Sequence, residues 1–306
     1  MSTPIKNVVL VGASGNLGPV VLKEFLDSPL NVTVLTRTGS KATFPPNVKT
    51  VQSEYTHDAL ASVFKSASAD AIVSMVGDPA VQTPLIDAAI TAGVKRFVPS
   101  EFGCNTSDPN VTATVPILAP KCHTAEYLRT KQDSISWTSL ITGLFFDWGL
   151  HVGFLGFDIG AATMRRWDGG ETRWSTTNLK TVGRALVNLL TKPEAYDATA
   201  NRYVFVESHR VTQNELKAAL EKATGKTFSV VEEVDGEQRI KTVNEALAKG
   251  DFSTVMDLIL AVMIGKKTAY GLWESNSNQL LGVQDKNLDE DVKDIVQALK
   301  GPSPNL

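Results

Sequence analysis

Three glycines near the start of the chain have the spacing of a loop that holds the phosphates of a nucleotide. Gly12, Gly15 and Gly18 follow the apolar run over residues 8–11, and an apolar helical pattern begins at Pro19. A glycine turn lets the backbone approach a diphosphate, and the next helix presents free N–H groups to it. The order predicts a dinucleotide site, although a glycine turn without a ligand is the alternative. The predicted cofactor contacts here are Gly12, Ser14, Gly15, Asn16, Leu17 and Gly18.

Basic rather than acidic residues follow the second apolar run, over residues 32–35. An enzyme specific for NAD usually places a carboxylate at this point, where it binds the ribose 2′-hydroxyl and would repel a 2′-phosphate. After this run the chain has Arg37 and Lys41, and no acidic residue lies between Arg37 and Glu54. Because a guanidinium can bind a phosphate through two parallel hydrogen bonds, the pattern favours NADP(H) over NAD(H). For either cation, a solvated position in the loop is the alternative.

The first half of the chain alternates apolar strand segments with helical patterns. Strands are predicted over residues 8–11, 32–35, 48–51, 71–76 and 95–98, and helices over 19–26, 59–67 and 81–92. This alternation predicts an α/β fold with a Rossmann doubly wound parallel sheet and a smaller α/β C-terminal substrate domain. Ligands of such sheets bind at the carboxyl ends of the strands. Gly12, Arg37, Gly77 and Ser100 all fall at strand ends, and Val76 is the last residue of the fourth predicted strand, so one crevice is expected to collect them.

We expect residues 1–150 to form the NADP-binding domain, joined by a strand that returns from about 178–206, and residues 151–306 to form the substrate-binding domain. Thr212 and Glu215 have the spacing of a capping box at the start of a helix. An apolar helix is predicted over residues 252–264. Its methionines, Met256 and Met263, suggest a flexible wall over the substrate.

The hexamer Val-Pro-Ser-Glu-Phe-Gly at residues 98–103, together with the opening glycines, resembles the NmrA-like and isoflavone-reductase-like family in its fungal branch. This family is an atypical branch of the short-chain dehydrogenases. Residues 137–147 are similar to the family's sixth strand and to the loop that covers the nicotinamide. The resemblance is strongest over the first 150 residues. It implies an NADPH-dependent oxidoreductase in which Ser100, Gly143 and Phe145 lie beside the cofactor.

Lys121 is the catalytic and cofactor-binding residue that this resemblance implies. The family places a functional lysine at the start of a helix, six residues before a pair that is Tyr127-Leu128 here. Such a lysine can bond the nicotinamide ribose and orient the ring. It can also supply or relay a proton if partial burial lowers its pKa. The alternative is an exposed lysine at a helix start.

Tyr127 and Lys131 have the Tyr-x-x-x-Lys spacing that many short-chain dehydrogenases use. The sixth strand is predicted to begin at Trp137, only six residues after Lys131, which places both side chains at the wrong end of their helix. We therefore interpret Tyr127 as a structural residue. His123 is expected to face the surface, and Glu101 to fix its own loop.

Composition excludes several functional classes. The 306-residue chain is 42% hydrophobic and 21% charged, with a formal net charge of −3. The absence of a basic excess argues against nucleic acid, and no apolar run is long enough for a membrane span. Cys104 and Cys122 lack the spacing of a disulfide framework or metal site. A cytoplasmic protein without a metal is expected.

These observations predict an NADPH-dependent reductase of a small apolar or aromatic metabolite, such as a carbonyl compound, an alkene or a benzylic ether of secondary metabolism. A monomer or a homodimer is expected. The alternative is a non-catalytic NADP(H)-sensing regulator that acts through a protein partner.

Overall fold

The computed structural model describes residues 5–299, which form one large sheet, two small sheets and thirteen α-helices. In chain order the strands are β1 (Asn7–Val11), β2 (Asn31–Arg37), β3 (Lys49–Ser53), β4 (Ala71–Ser74), β5 (Arg96–Val98), β6 (Ser136–Ile141), β7 (Leu144–Phe145), β8 (Phe157–Asp158), β9 (Thr163–Trp167), β10 (Trp174–Thr177), β11 (Arg202–Phe205), β12 (His209–Val211) and β13 (Ser229–Val234).

The helices lie between these strands and over the C-terminal half. They are α1 (Gly18–Leu26), α2 (His57–Ser66), α3 (Gln82–Thr91), α4 (Pro109–Thr114), α5 (Ala119–Thr130), α6 (Phe146–His151), α7 (Leu179–Thr191), α8 (Pro193–Ala198), α9 (Gln213–Thr224), α10 (Gly236–Ala248), α11 (Met256–Ile264), α12 (Asn278–Leu281) and α13 (Leu288–Ala298). Within residues 5–299, none of these helices combines the length and the apolar character that a bilayer crossing requires.

Seven parallel strands form the large sheet in the order β11–β6–β5–β4–β1–β2–β3. Val11 at the end of β1 is paired with Leu35 of β2 on one side and with Ser74 of β4 on the other. The strand order reverses between β1 and β4, which is where ligands bind in sheets of this kind. The predicted doubly wound Rossmann fold is therefore confirmed. The strand expected to return within about residues 178–206 is β11, which pairs with β6.

Alternate residues of β1 enter different cores, because successive side chains of a strand point to opposite faces. Val8 and Leu10 pack with α1 and α7, whereas Val9 and Val11 pack with α2, α3 and α5. All four side chains are at most 1% exposed. Burial on both faces explains why this strand has an unbroken apolar sequence instead of an alternating one.

A third core fills the C-terminal half. β7, β10 and β12 form one small sheet, and β8, β9 and β13 form the other. Helices α9, α10, α11 and α13 contribute buried side chains to the same core. Leu144 of β7 pairs with Thr176 of β10, and the Thr176 hydroxyl donates a 2.6 Å hydrogen bond to the Leu144 carbonyl. This small sheet therefore begins three residues after β6 ends.

The apolar helix expected over residues 252–264 begins four residues later, as α11, and is a core helix. Met263 is fully buried, whereas Met256 is 44% exposed. Asp257 in its first turn accepts a 2.8 Å hydrogen bond from Arg239 of α10 and a 3.2 Å hydrogen bond from Arg165 of β9. These ion pairs and the buried face fix α11 to its neighbours, which is the opposite of a flexible wall.

Candidate active site

A cleft of about 330 Å³ opens where β1, β2 and β4 end, and we call it the first cleft. Its walls include six of the predicted cofactor contacts, namely Gly12, Ser14, Gly15, Arg37, Val76 and Gly77. The remaining wall residues are Leu35, Thr36, Ser40, Tyr55, Met75, Asp78 and Val81. The large sheet therefore brings together predicted contacts that are up to 65 positions apart in the sequence.

The three glycines of the opening motif have different roles. Gly12 has a φ of +86°, and a Cβ there would lie 2.8 Å from the carbonyl carbon of Met75, so the packing of β1 against β4 requires a glycine. At Gly18 a Cβ would lie 2.3 Å from the carbonyl carbon of Ala13. At Gly15 the nearest atom would be 3.6 Å away. Because the fold itself accepts a side chain at Gly15, the open surface there is free for a ligand.

Three predicted contacts of the opening loop do not line the first cleft. Asn16 is exposed, and Leu17 is 6% exposed and packs into the core beneath α1. Gly18 is the first residue of α1 and packs on Ala13. A ligand at the start of α1 would meet the backbone of these residues, and their role as contacts stays a prediction.

Arg37 ends β2 at the wall of the first cleft with an exposed side chain. Gln52 of β3 holds the turn that follows, since it accepts a hydrogen bond from the Gly39 N–H at 3.2 Å and donates one to the Ser40 carbonyl at 3.0 Å. Lys41 is exposed and does not line the cleft. Arg37 is thus the better placed of the two cations to meet a phosphate.

Tyr55 is a wall residue that the sequence did not point to. It lies two residues after β3. Burial raises the pKa of its phenol, and the charge of Arg37 acts on that pKa in the opposite direction. The two side chains therefore flank the same part of the first cleft. The available signal was an aromatic residue just beyond a strand end.

A second, narrower cavity of about 30 Å³ adjoins the first cleft. Its walls are Val76, Gly77, Pro79, Gln82, Pro99, Ser100, Glu101, Lys121 and Thr124. Val76 and Gly77 belong to both cavities, so the two form one crevice with Arg37 in its first part and Lys121 in its second. Ser100 and Lys121, which are separate in the sequence, lie together here.

Gln82 is a further wall residue that the sequence did not identify. It is the first residue of α3 and is 3% exposed. Its amide donates a 2.9 Å hydrogen bond to the Ser74 hydroxyl and accepts a 3.4 Å hydrogen bond from the Ser100 N–H. Gln82 therefore links the ends of β4 and β5. No local signal marks such a residue, because both partners are remote in sequence.

Lys121 is the third residue of α5 and is half-buried. Its Nζ donates a hydrogen bond to the backbone carbonyl of Glu101. The carboxyl of Glu101 is buried, which raises its pKa, while the positive charge of Lys121 acts to lower it. The lysine therefore points toward the end of β5 and lies in the wall of the second cavity.

Tyr127 lies outside both cavities. Its hydroxyl donates a 2.5 Å hydrogen bond to Asp87 of α3, and the Lys131 Nζ lies 5.1 Å from the centre of its ring. Burial and the bond to Asp87 raise the pKa of Tyr127 to about 12. His123 is exposed. Tyr127 of the Tyr-x-x-x-Lys spacing thus helps to pack α5 on α3 and does not face the crevice.

Gly143 and Phe145 follow β6 but line neither cavity. Gly143 has a φ of +63°, and a Cβ there would lie 2.2 Å from the carbonyl oxygen of Ser175, so its packing against β10 requires a glycine. The Phe145 ring packs edge-on against Trp148 with centroids 6.4 Å apart. Their predicted contact with the nicotinamide stays a prediction.

The chain is similar to known proteins over most of its length. The model of the NmrA-like family matches residues 4–263. The oxidoreductase aprR of Aspergillus flavus is 34% identical over 95% of this chain and 98% of its own length. The oxidoreductase poxI of Penicillium oxalicum is 30% identical over 93% of this chain and 92% of its own length.

Two solved structures share the fold. Leucoanthocyanidin reductase of Vitis vinifera, in complex with NADPH, superposes with a TM-score of 0.78 at 18% identity, over 95% of this chain and 99% of its own. AtPrR2 with NADP+ and (+)-pinoresinol superposes with a TM-score of 0.74 at 21% identity, over 96% of this chain and all of its own. The family match covers most of the chain, and the protein belongs to the NmrA-like family.

Proposed function

We propose that this protein is an NADPH-dependent reductase that transfers hydride to a small, largely apolar molecule. The substrate class is an aromatic or polyketide-like carbonyl compound, alkene or benzylic ether. One observation carries the proposal: a single crevice holds Arg37 in its first part and Lys121 in its second, joined at Val76 and Gly77. The names of the curated relatives, which are oxidoreductases, support the same reaction type.

The first cleft fits a dinucleotide. Gly15 leaves an opening that a side chain would fill, with no atom nearer than 3.6 Å to an added Cβ. The nine-residue helix α1 begins three residues later, so its positive end favours an anion beside the loop. Arg37 offers paired donors to a 2′-phosphate. NADP(H) rather than NAD(H) is therefore the proposed cofactor, as the two superposed reductase complexes hold.

Lys121 has two roles in the proposed reaction. Its ammonium, held by the Glu101 carbonyl at the wall of the second cavity, orients the ribose and ring of the cofactor. When bound there, NADPH supplies the hydride that forms the new C–H bond. Lys121 gives its proton to the oxygen or carbon that gains the electron pair, and the amine takes a proton back from water.

The test follows NADPH oxidation by absorbance with a panel of apolar carbonyl compounds, enones and benzylic ethers. Lys121→Ala is expected to lower kcat by about 100-fold or more, because a positioned acid contributes at least that much. Lys131→Ala removes a lysine at the far end of α5, outside both cavities, and is the matched control. Unchanged turnover in Lys121→Ala would remove this residue from the reaction. Equal binding of NADP+ and NADPH without turnover of any substrate would favour the NADP(H)-sensing regulator instead.

A further inference from the structure

The loop that follows β5 has a strained and tightly bonded backbone. Phe102 has a φ of +33°, a conformation that residues with side chains rarely adopt. Its N–H donates a 3.1 Å hydrogen bond to the Leu140 carbonyl of β6. The Gly103 carbonyl accepts hydrogen bonds from the N–H groups of Thr142 at 3.3 Å and Gly143 at 3.0 Å. Such conformations persist only where the surroundings over-determine them, and they concentrate at functional sites.

The side chain of Glu101 is locked inside this loop. Glu101 is 1% exposed, and its carboxyl accepts a 2.6 Å hydrogen bond from the hydroxyl of Thr106, which is also 1% exposed. Thr106 lies five residues further along the chain, so the bond closes the loop on itself. A buried carboxyl needs such a partner, since an unpaired one is costly away from water.

The same residue holds the lysine of the proposed active site. The Glu101 backbone carbonyl accepts the hydrogen bond from the Lys121 Nζ. Glu101 thus presents its backbone carbonyl to Lys121, while its side-chain carboxyl is bonded to Thr106. The direction of that carbonyl depends on the loop conformation, and the Thr106 bond is one of the contacts that set it.

Two groups near Glu101 add no charge at neutral pH. Burial raises the pKa of the Cys104 thiol to about 12. Burial also raises the pKa of the Tyr203 phenol to about 12, while the Thr106 hydroxyl acts on that pKa in the opposite direction. Both therefore remain protonated.

We propose that Glu101 and Thr106 are positioning residues that together hold the Lys121 ammonium at the second cavity. Thr106 fixes the carboxyl of Glu101, this fixes the loop, and the loop presents the carbonyl that Lys121 bonds. The importance of Lys121 rests on the proposed function. The hydrogen bonds that hold Lys121 in place, which we call its support, exist with or without turnover.

Competitive labelling with acetic anhydride tests this support without any substrate. The full-length protein is labelled over a pH series, and acetylation of Lys121 is measured by peptide mass spectrometry. Lys65, an exposed lysine on α2, is the internal reference. Thr106→Val removes the hydroxyl at nearly constant volume. Loss of one hydrogen bond in the support is expected to release the ammonium and raise the labelling rate of Lys121 about fivefold relative to Lys65.

Two further variants separate the effect of losing the Thr106 hydroxyl from general effects of substitution on the fold. Thr106→Ser keeps the hydroxyl and is expected to restore the wild-type labelling rate. Thr112→Val alters a half-buried threonine of α4, whose hydroxyl donates a 3.2 Å hydrogen bond to the Pro109 carbonyl of the same helix, and is the matched control. Wild-type labelling of Lys121 in Thr106→Val would overturn the proposal.

Glu101→Gln provides an independent measurement if Thr106→Val does not fold. The glutamine keeps an oxygen that can accept the Thr106 hydrogen bond but carries no charge. Because Glu101→Gln keeps the Thr106 hydrogen bond and the backbone carbonyl, it is expected to leave the labelling rate of Lys121 within about twofold of wild type, whereas Glu101→Ala, which removes the acceptor, is expected to raise that rate about fivefold. A wild-type labelling rate of Lys121 in Glu101→Ala would contradict the role of Glu101. Since labelling does not depend on catalysis, it distinguishes failure of this support from failure of the proposed function.

Discussion

The hydroxyl of Tyr127 donates a 2.5 Å hydrogen bond to the carboxylate of Asp87, and this pairing joins α5 to α3 outside the crevice. The tyrosine has the sequence spacing of a catalytic residue, yet its phenol is engaged elsewhere. Its pKa, raised to about 12 by burial and by Asp87, also makes it a poor proton donor at neutral pH. Lys121, which is half-buried in the wall of the second cavity, stays the proposed catalytic residue.

Replacement of this tyrosine tests the assignment directly. Tyr127→Phe removes the hydroxyl and leaves the ring on α5. We expect NADPH turnover within about twofold of wild type and a loss of stability of at most about 1 kcal/mol, because only one partly exposed hydrogen bond disappears. Steady-state kinetics and urea unfolding measure the two effects. A large fall in kcat with unchanged stability would return Tyr127 to the candidate catalytic residues.

Gly12 and Gly15 allow a matched comparison of fold and ligand binding. Gly12→Ala places a Cβ 2.8 Å from the Met75 backbone at a φ of +86°, so it is expected to destabilise the protein by about 2 kcal/mol or more. Gly15→Ala has 3.6 Å of clearance and is expected to keep the melting temperature but weaken NADPH binding about tenfold or more. Thermal melting and fluorescence titration with NADPH separate the two outcomes. Equal NADPH affinity in Gly15→Ala and wild type would mean that the loop does not approach the cofactor.

Arg37 is expected to determine the choice between NADPH and NADH. Arg37→Asp should weaken NADPH binding by about 30-fold or more, since a charge-assisted pair is lost and a repulsive carboxylate is introduced. The affinity for NADH, which lacks the 2′-phosphate, should fall far less. Lys41→Asp makes the same charge change at an exposed position outside the first cleft and is the control. Equal losses for both cofactors in Arg37→Asp would contradict a 2′-phosphate contact.

Asp291 is expected to make stability depend on acid pH. Burial alone would raise the pKa of Asp291, but hydrogen bonds from His209, Lys286 and Asn178 outweigh that effect and hold the pKa below its ordinary value of 3.8. A carboxyl with a lower pKa in the folded state stabilises it above the unfolded pKa, and this contribution is lost as pH falls through the folded value. The wild-type protein should therefore lose stability below about pH 4.

Asp291→Asn isolates this contribution. The variant is expected to lose about 2 kcal/mol at pH 7, because the buried His209 ring and the exposed Lys286 ammonium lose hydrogen bonds to an ionised acceptor. The difference from wild type should shrink below about pH 4, as measured by urea unfolding at several pH values. Asp289→Asn, which breaks an exposed pair with Lys222, is the control and should cost less than about 1 kcal/mol. A difference that stays constant with pH would exclude the ionised Asp291 as its source.

The sequence by itself determined the features that local patterns encode. The apolar runs located five strands of the large sheet, β1 to β5, before any pairing was known, because the inner strands of such a sheet are buried on both faces and are mainly apolar. The capping box at Thr212 and Glu215 is present in α9, since both of its hydrogen bonds join residues three apart. Strand ends placed Gly12, Arg37 and Gly77 in one crevice, because parallel strands end at the same edge of a sheet.

Only the tertiary structure decided which contacts cross between distant segments. Gln82 and Tyr55 line the crevice, although no local sequence pattern identifies them as wall residues. Likewise, no local pattern predicts the ion pair between Arg165 and Asp257 that holds α11 in place. Gly12 and Gly143 proved to be required by packing against Met75 and Ser175, because a short distance between two backbones depends on how whole strands meet. The bonds of Lys121 to Glu101 and of Glu101 to Thr106 arise in the same way, from a loop held between β5 and β6.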